Sequence, residues 1–207
     1  DSIAGGAVMR LSSLISGWYF CDLLAHGKEM DQVIARGDNS LVQHSTPELE
    51  RWFDKPPAEL PRPSGFPLAF ALLFFLIAFA CTWLTLMALL PKQTPPVRAL
   101  LFFVPGILFI VSNLSASYLI ARGKTSGLRW YGWVHATLTV LSVVILVLVL
   151  LNGRMHHAIL MLAALLVMLA CRYVFNSRGF ILFVLYGRTQ RITTLSRGMR
   201  LKSGHQK

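Results

Sequence analysis

All nine acidic residues of this 207-residue chain lie before residue 60. The last of them is Glu59, and from Pro63 to Lys207 the only fixed charges belong to Lys and Arg. These basic residues separate long uncharged runs or lie near the C-terminal end. Uncharged runs of this length are typical of membrane-spanning helices, and the absence of carboxylates restricts the chemistry that the second part of the chain can perform.

Four uncharged runs determine the fold class. Residues 63–91, 99–121 and 130–153 each exceed the roughly 20 residues that a helix needs to cross about 30 Å of hydrocarbon. The fourth run is long enough only if Arg172 extends to the headgroups. The runs are solidly apolar, whereas the strands of a membrane barrel alternate. The sequence therefore predicts an all-α integral membrane protein, a four-helix bundle with spans at about 66–90, 99–121, 130–152 and 156–176.

The spans divide the chain into three parts. Residues 1–62 carry both charge signs and end in a proline-rich linker, residues 63–177 form the bundle, and residues 178–207 form a basic tail. The apolar stretch 180–186 is too short to cross, so it lies along the membrane surface or packs back on the bundle. The rest of the tail reads as solvated or lipid-associated.

Charge also predicts the orientation. The tail and the loop between the second and third spans are the most basic connections, and an even number of spans puts both termini on one side. The positive-inside rule makes that side the cytoplasm. We expect a multi-pass protein of a bacterial-type inner (plasma) membrane with both termini cytoplasmic.

The N-terminal part predicts helices outside the bundle. Residues 3–21 have one apolar face and suit a cytoplasmic amphipathic helix lying in the interface. The alternative is a fifth span, in which Arg10 and Asp22 would each cost about 2.5–3.5 kcal/mol near the bilayer centre, so the interface is favoured. A short helix follows at 28–36, and a capping box at Ser45 starts another. The candidate interfacial residues are Leu11, Leu14, Ile15 and Trp18.

Catalysis is not expected from this pattern. A divalent metal needs carboxylate ligands, and none follows Glu59. The cysteines and histidines show no spacing typical of a metal, redox or haem site. We therefore expect no catalytic residue, no metal and no cofactor.

Polar residues recur at one depth of three spans. All lie in the cytoplasmic half of their helices, where they could line a vestibule or bind a headgroup. The alternative, which we favour, is ordinary polar packing between helices. Pro105-Gly106 predicts a kink in the second span. The polar layer consists of Asn113, Ser115, Ser117, His135 and Arg172.

The basic residues at the cytoplasmic end predict lipid contacts. Each basic side chain near an anionic leaflet contributes about 1 kcal/mol of attraction, which explains them better than nucleic acid binding does. Membrane lipids are therefore expected partners, and nucleic acid is not. The candidate headgroup contacts are Arg122, Lys124, Arg129, Arg178, Arg188 and Arg191.

Three functions remain open from the sequence, and the least favoured is a membrane enzyme, which would have to act through His and Arg without a carboxylate. The first is a non-catalytic protein that binds another membrane protein, either as a subunit of a secretion or export complex or as an immunity protein against a membrane-active toxin. Small four-span immunity proteins share its size and topology, although no motif matches residue by residue. The second is a small oligomeric channel or carrier for an anion or a lipid, which a cationic body without acids would favour.

Overall fold

The computed structural model describes residues 16–36, 45–53, 62–91 and 93–204. Within these residues the fold is entirely α-helical and contains no strand. Seven helices follow one another: α1 (Trp18–Arg36), α2 (Pro47–Phe53), α3 (Phe66–Leu89), α4 (Pro95–Ala121), α5 (Thr125–Leu151), α6 (Met155–Phe175) and α7 (Arg178–Gly204).

Helices α3 to α6 are long and apolar enough to cross a membrane, which confirms the membrane class and the four predicted spans. Two of them begin earlier than the uncharged runs do. Helix α4 starts at Pro95, a residue suited to the first helical turn, and α5 starts at Thr125. Arg98 and Arg129 are thus helical residues, because a helix continues past the hydrocarbon while its charged side chains reach water.

The bundle is held mainly by α3 packing along α6, with α5 against both and α4 against α5. Apolar side chains fill the contact, and a hydrogen bond of 3.0 Å between Thr82 Oγ1 and Ser142 Oγ joins α3 to α5 near the middle of the membrane. Because lipid tails are as apolar as the core, close packing and such polar contacts hold transmembrane helices together.

Phe175 lies at the end of α6, where five helices meet. Its ring stacks on Phe20 of α1 at 4.7 Å between centroids and contacts Phe75 of α3 at 5.8 Å and Phe180 of α7 at 5.2 Å. Tyr131 of α5 lies 6.1 Å away. The helices nearest the two ends of the chain therefore dock on the same end of the bundle.

The C-terminal segment differs from the expected solvated tail. It is the 27-residue helix α7, which packs against α1, α2 and the ends of the spans. Ser177 starts it, since its Oγ accepts from the backbone N–H of Phe180 at 3.3 Å. Phe180 and Val184 are buried, so the apolar stretch packs back on the bundle. The basic side chains made this packing hard to predict from the sequence. An amphipathic helix with basic residues on its outer face has a composition similar to that of a solvated tail.

The segments before the bundle are helical where they are described. Helix α1 begins after Gly17, and residues 3–15 of the predicted interfacial helix lie outside the described part. Helix α2 starts one residue later than predicted: the backbone N–H of Leu49 donates to Thr46 Oγ1 at 3.2 Å, so Thr46 is the cap. Ser45 instead bonds the Glu50 carboxylate at 3.1 Å, because Pro47 occupies the first helical position.

Two glycines end helices with the same geometry. Gly123 follows α4 with φ +69°, and Gly153 follows α5 with φ +65°. In each turn the glycine N–H bonds the carbonyl three residues back and the next N–H bonds five residues back. This is the Schellman arrangement, which satisfies the last carbonyls of a helix. The surroundings differ: Gly123 lies against the backbone of Gly187, whereas nothing lies near Gly153.

We predict that Gly123→Ala lowers the free energy of unfolding by more than Gly153→Ala. Both variants incur about 1–2 kcal/mol for a side chain at positive φ, but only the first forces α7 away from the turn. Unfolding of the purified protein in mixed micelles measures both. Equal losses would contradict the close contact between Gly123 and Gly187.

Pro105 leaves a carbonyl of α4 without its helical partner. A proline has no N–H, so the carbonyl of Leu101, four residues earlier, loses its usual donor. Trp83 of α3 supplies one, since its indole Nε1–H donates to Leu101 O at 3.1 Å. Inside hydrocarbon an unpaired carbonyl is costly, so this bond fastens α4 to α3 at the proline.

We predict that Trp83→Phe lowers the free energy of unfolding by about 1–2 kcal/mol, because the Leu101 carbonyl then has no donor. In a Pro105→Ala background, the backbone N–H of residue 105 bonds that carbonyl and the same change costs less. A double-mutant cycle by micellar unfolding measures the coupling. Independent effects of the two substitutions would disprove this role of Trp83.

Candidate functional site

A chain of hydrogen bonds joins α4 to α5 at the end where the terminal helices dock. Asn113 is fully buried, and its Nδ2 donates to Phe109 O at 2.8 Å. Ser117 donates to Asn113 O at 2.8 Å and also bonds the Tyr131 hydroxyl. Because Ser117 has a single hydroxyl hydrogen, the Tyr131 hydroxyl is the donor to Ser117.

His135 lies one turn after Tyr131 on α5 and is also buried. Its Nε2 is 3.1 Å from the carbonyl oxygen of Met168 on α6, so Nε2 carries the proton. Its ring packs 6.4 Å from Phe75 and 5.5 Å from Phe175 between centroids. Asn113, Ser117 and His135 of the predicted layer therefore face the interior of the bundle.

Ser115 and Arg172 belong to the predicted layer by depth but face elsewhere. Ser115 is exposed and donates to its own helix, at Val111 O. Arg172 lies in a separate groove at the end of α6. Ser115 is two residues from Asn113, about 200° around the helix, whereas Ser117 is four residues away and returns to the same face.

Among the buried polar atoms that lack a hydrogen-bond partner in the described residues, Asn113 Oδ1 and His135 Nδ1 belong to the predicted polar layer. Both are acceptors in the state described, so a water or an O–H donor would suit them. Among the described residues no group of three His, Cys, Asp or Glu side chains could hold a metal ion.

The expected headgroup contacts fall into two groups. Four of them have exposed side chains, as contact with lipid requires. Arg191 is half-buried and pairs with Asp31 of α1 at 2.8 Å, and Arg188 is buried inside the protein, 4% exposed. Arg188 is thus placed away from the lipid surface that the sequence predicts for it. The exposed residues are Arg122, Lys124, Arg129 and Arg178.

Arg188 lies where α7 crosses α1 and the start of α5. Gly27 of α1 makes room for it: a Cβ there would stand 2.5 Å from Arg188 Nη2 and 2.6 Å from Thr125 Oγ1. Neither terminal nitrogen of Arg188 has a hydrogen-bond partner. Burial lowers the pKa of the guanidinium, and the Asp31 carboxylate opposes that shift. The charge is therefore held inside the protein with only indirect compensation.

Among the grooves on the surface of the described helices, two are large. The tryptophan groove lies between α3, α4 and α5, has a volume of about 580 Å³ and is almost wholly apolar. The arginine groove lies between α1 and α6, has a volume of about 620 Å³ and includes Arg172. Trp18, the one described member of the predicted interfacial set, is 71% exposed at the rim of the arginine groove, and Leu11, Leu14 and Ile15 lie outside the described residues.

Several important residues have no distinctive signal in the sequence. Tyr131 lies between Trp130 and Trp133 and reads as one more interfacial aromatic residue, although its spacing of four from His135 puts both on one face. Asp31 is one acid of a mixed-charge segment, and its partner Arg191 is 160 residues away. Only the packing of α1 on α7 brings them together.

Comparisons with protein-family models, with curated proteins and with solved structures find no match to this chain.

We predict that Arg188→Met raises the free energy of unfolding by roughly 1–3 kcal/mol, because it replaces a buried charge without hydrogen bonds by an apolar side chain. Arg129→Met on the exposed face is the matched control and should leave stability unchanged. Micellar unfolding measures both. A loss of stability on Arg188→Met, comparable to removal of a core side chain, would show that the guanidinium is compensated.

Removing the charge of Asp31 should have the opposite effect on stability to removing that of Arg188. Asp31→Asn should lower the free energy of unfolding by about 1 kcal/mol, since its pair with Arg191 is partly exposed. In the Arg188→Met background the loss should be smaller, because only one cation then depends on Asp31. The same micellar unfolding assay measures this difference, and an unchanged loss would contradict a shared role for Asp31.

Proposed function

We propose that this protein is a non-catalytic, multi-pass membrane protein that works by binding a transmembrane helix of another membrane protein. The binding surface is the tryptophan groove. It opens toward the hydrocarbon and combines a large apolar volume with aromatic walls. This groove is the single observation that carries the proposal.

The lining of the tryptophan groove suits a helix. Large aromatic residues are the side chains that contribute most at protein interfaces, and they dominate the lining. Small side chains in the lining let a second backbone approach closely, as at other membrane helix contacts. The aromatic residues are Phe79, Trp83, Phe109, Trp130 and Trp133, and the small residues are Thr82 and Thr137.

Helix α4 adds to this surface. It is the least buried of the four spans and is apolar on nearly all sides. Its first half exposes Phe103, Ile107 and Leu108, and a Cβ on Gly106 would meet nothing. Such a helix at the edge of a bundle presents a flat, shape-adaptable face to a neighbour. A partner that enters the tryptophan groove would also cover this side of α4.

The polar interior favours a binding protein over a conduit. Ser117, Tyr131 and His135 use their hydrogen bonds to join α4, α5 and α6. Polar groups bonded in this way hold helices together and leave no continuous row of free groups for a solute. The bundle also carries no carboxylate for a proton relay, because no acid follows Glu59.

The membrane and the orientation are part of the proposal. The excess of Lys and Arg at the end where α1 and α7 dock supports a bacterial-type inner membrane with both termini in the cytoplasm. The partner is then either another subunit of an envelope, secretion or export complex or a membrane-active toxin that the protein neutralises. Size and topology support the second form by analogy alone.

A small channel or carrier for an anion or a lipid is the second candidate. The observation in its favour is the pair of unpartnered atoms, Asn113 Oδ1 and His135 Nδ1, inside the bundle. If they line a path, His135→Ala and Asn113→Ala should change solute flux in liposomes. If they serve packing, the same substitutions should lower stability without affecting permeability.

We predict that a photo-reactive amino acid at position 137, in the tryptophan groove, cross-links to one membrane protein in native membranes. The control is the same amino acid at position 162, which is equally exposed on α6 but outside both grooves. Thr137→Trp should fill the groove and reduce co-purification of the cross-linked partner at least tenfold, whereas Leu162→Trp should not. Mass spectrometry of the adduct and of the purified particle gives both readouts.

Two results would contradict the proposal. Equal cross-linking from positions 137 and 162 would show contact with lipid or with proteins at random. A homo-oligomer without a stoichiometric partner that makes liposomes permeable to anions would instead support the channel.

A further inference from the structure

We propose that the arginine groove is a binding site for an anionic phospholipid, with Arg172 holding the phosphate. This inference does not depend on the tryptophan groove or on the protein partner. The groove has room for part of a phospholipid, about 620 Å³. Its walls come from the first turn of α1 and the last turns of α6. The lining residues are Gly17, Trp18, Tyr19, Leu166, Leu169, Ala170, Arg172, Tyr173 and Asn176.

The residues of α6 that line the groove are arranged as an amphiphilic lipid requires, with the charged residue near the end of the helix and the apolar residues deeper. Arg172 lies three residues before the end of the helix, about 4.5 Å along its axis, so its long side chain can extend to the lipid headgroups when α6 spans a bilayer. Leu169 and Leu166 lie three and six residues deeper, about 4.5 Å and 9 Å along the axis, line the same groove and are exposed. A phosphate at Arg172 would therefore place an acyl chain along the two leucines.

The positive charge of Arg172 determines which class of lipid headgroup the groove favours. Among the described residues no carboxylate pairs with Arg172, and the ion pairs of Arg191 and Arg200 lie on α7. The whole bundle segment lacks acids. A zwitterionic lipid brings its own cation to the site, whereas a lipid with net negative charge compensates Arg172. The uncompensated arginine therefore favours an anionic headgroup.

The groove is held open by contacts on its inner side. Asn176 Nδ2 donates to the carbonyl of Ser16 at 2.9 Å and to that of Arg172 at 2.7 Å, which ties the start of α1 to the end of α6. The stacking of Phe20 on Phe175 fixes the next turn of α1. The relative positions of the two walls are thus set by the fold before any lipid arrives.

The rim consists of exposed side chains that suit an interface. Trp18 is 71%, Tyr19 62% and Tyr173 81% exposed. Tryptophan and tyrosine concentrate at the level of headgroups because their rings are apolar and their N–H or O–H groups are polar. Around a bound lipid they would contact the glycerol region while Arg172 binds the phosphate.

Arg188 is a weaker candidate for the same chemistry. Its terminal nitrogens are unpartnered, but they are buried without room beside them even for a water. A phosphate could reach them only after α1 moved away from α7. The arginine groove needs no such rearrangement.

Native mass spectrometry of the full chain in detergent tests the site, with phosphatidylglycerol and phosphatidylcholine as probes. The wild-type protein should retain phosphatidylglycerol about fivefold more than phosphatidylcholine, the ratio expected for one uncompensated charge at the membrane surface. Arg172→Gln should abolish this preference. Arg98→Gln, which removes an exposed arginine at the start of α4, outside the groove, should preserve it.

A second variant and a second probe separate the remaining outcomes. Ala170→Trp fills the groove without changing charge and should reduce retention of both lipids, which keeps the test valid if Arg172→Gln fails to fold. Inorganic phosphate at millimolar concentration should leave the bound lipid in place. Displacement by phosphate alone would assign the site to a free anion. Equal retention of the two lipids by the wild type, or equal effects of Arg172→Gln and Arg98→Gln, would overturn the proposal.

Discussion

The contacts of Phe175 connect five of the seven helices that the structure describes. Its ring is fully buried and touches aromatic rings from α1, α3, α5 and α7. Transmembrane helices gain little from the hydrophobic effect once they are in lipid, so dense packing of this kind decides how they meet. The same ring also supplies the surface on which the two terminal helices dock. The bundle and the helices α1 and α7 docked at its end therefore form one packing unit.

Much of the fold could be predicted because charge marks the ends of membrane helices so clearly. Depth in the membrane follows from counting residues along each span, and the layer was predicted on that basis alone. The direction in which a side chain points around its helix depends on which neighbours surround it. Asn113 and His135 face the interior, whereas Ser115 faces outward and Arg172 lies in a groove with α1. The neighbours of each side chain, and therefore the sites that the side chains form, could be identified only from the structure.

The terminal segments were harder to predict for a different reason. Their helices are stabilised by contacts with parts of the chain that are distant in sequence, so local composition says little about them. Arg188 illustrates this, because a basic residue in a basic segment predicts exposure, yet α1 and α5 cover it. Asp31 could not be matched with Arg191 from sequence either, although it belongs to the only part of the chain that has acids to offer. Two acids of the N-terminal part, Asp31 and Glu50, thus form ion pairs with basic residues of the C-terminal helix.

The stacking of Phe20 on Phe175 also has a consequence for biosynthesis. The two residues are separated by nearly the whole chain, so α1 emerges from the ribosome long before the surface that it covers exists. Until α5 and α6 are inserted, the apolar face of α1 lacks the helices on which it packs. A chain truncated before α6 would keep the contact of α1 with α5 but lose the ring on which Phe20 stacks.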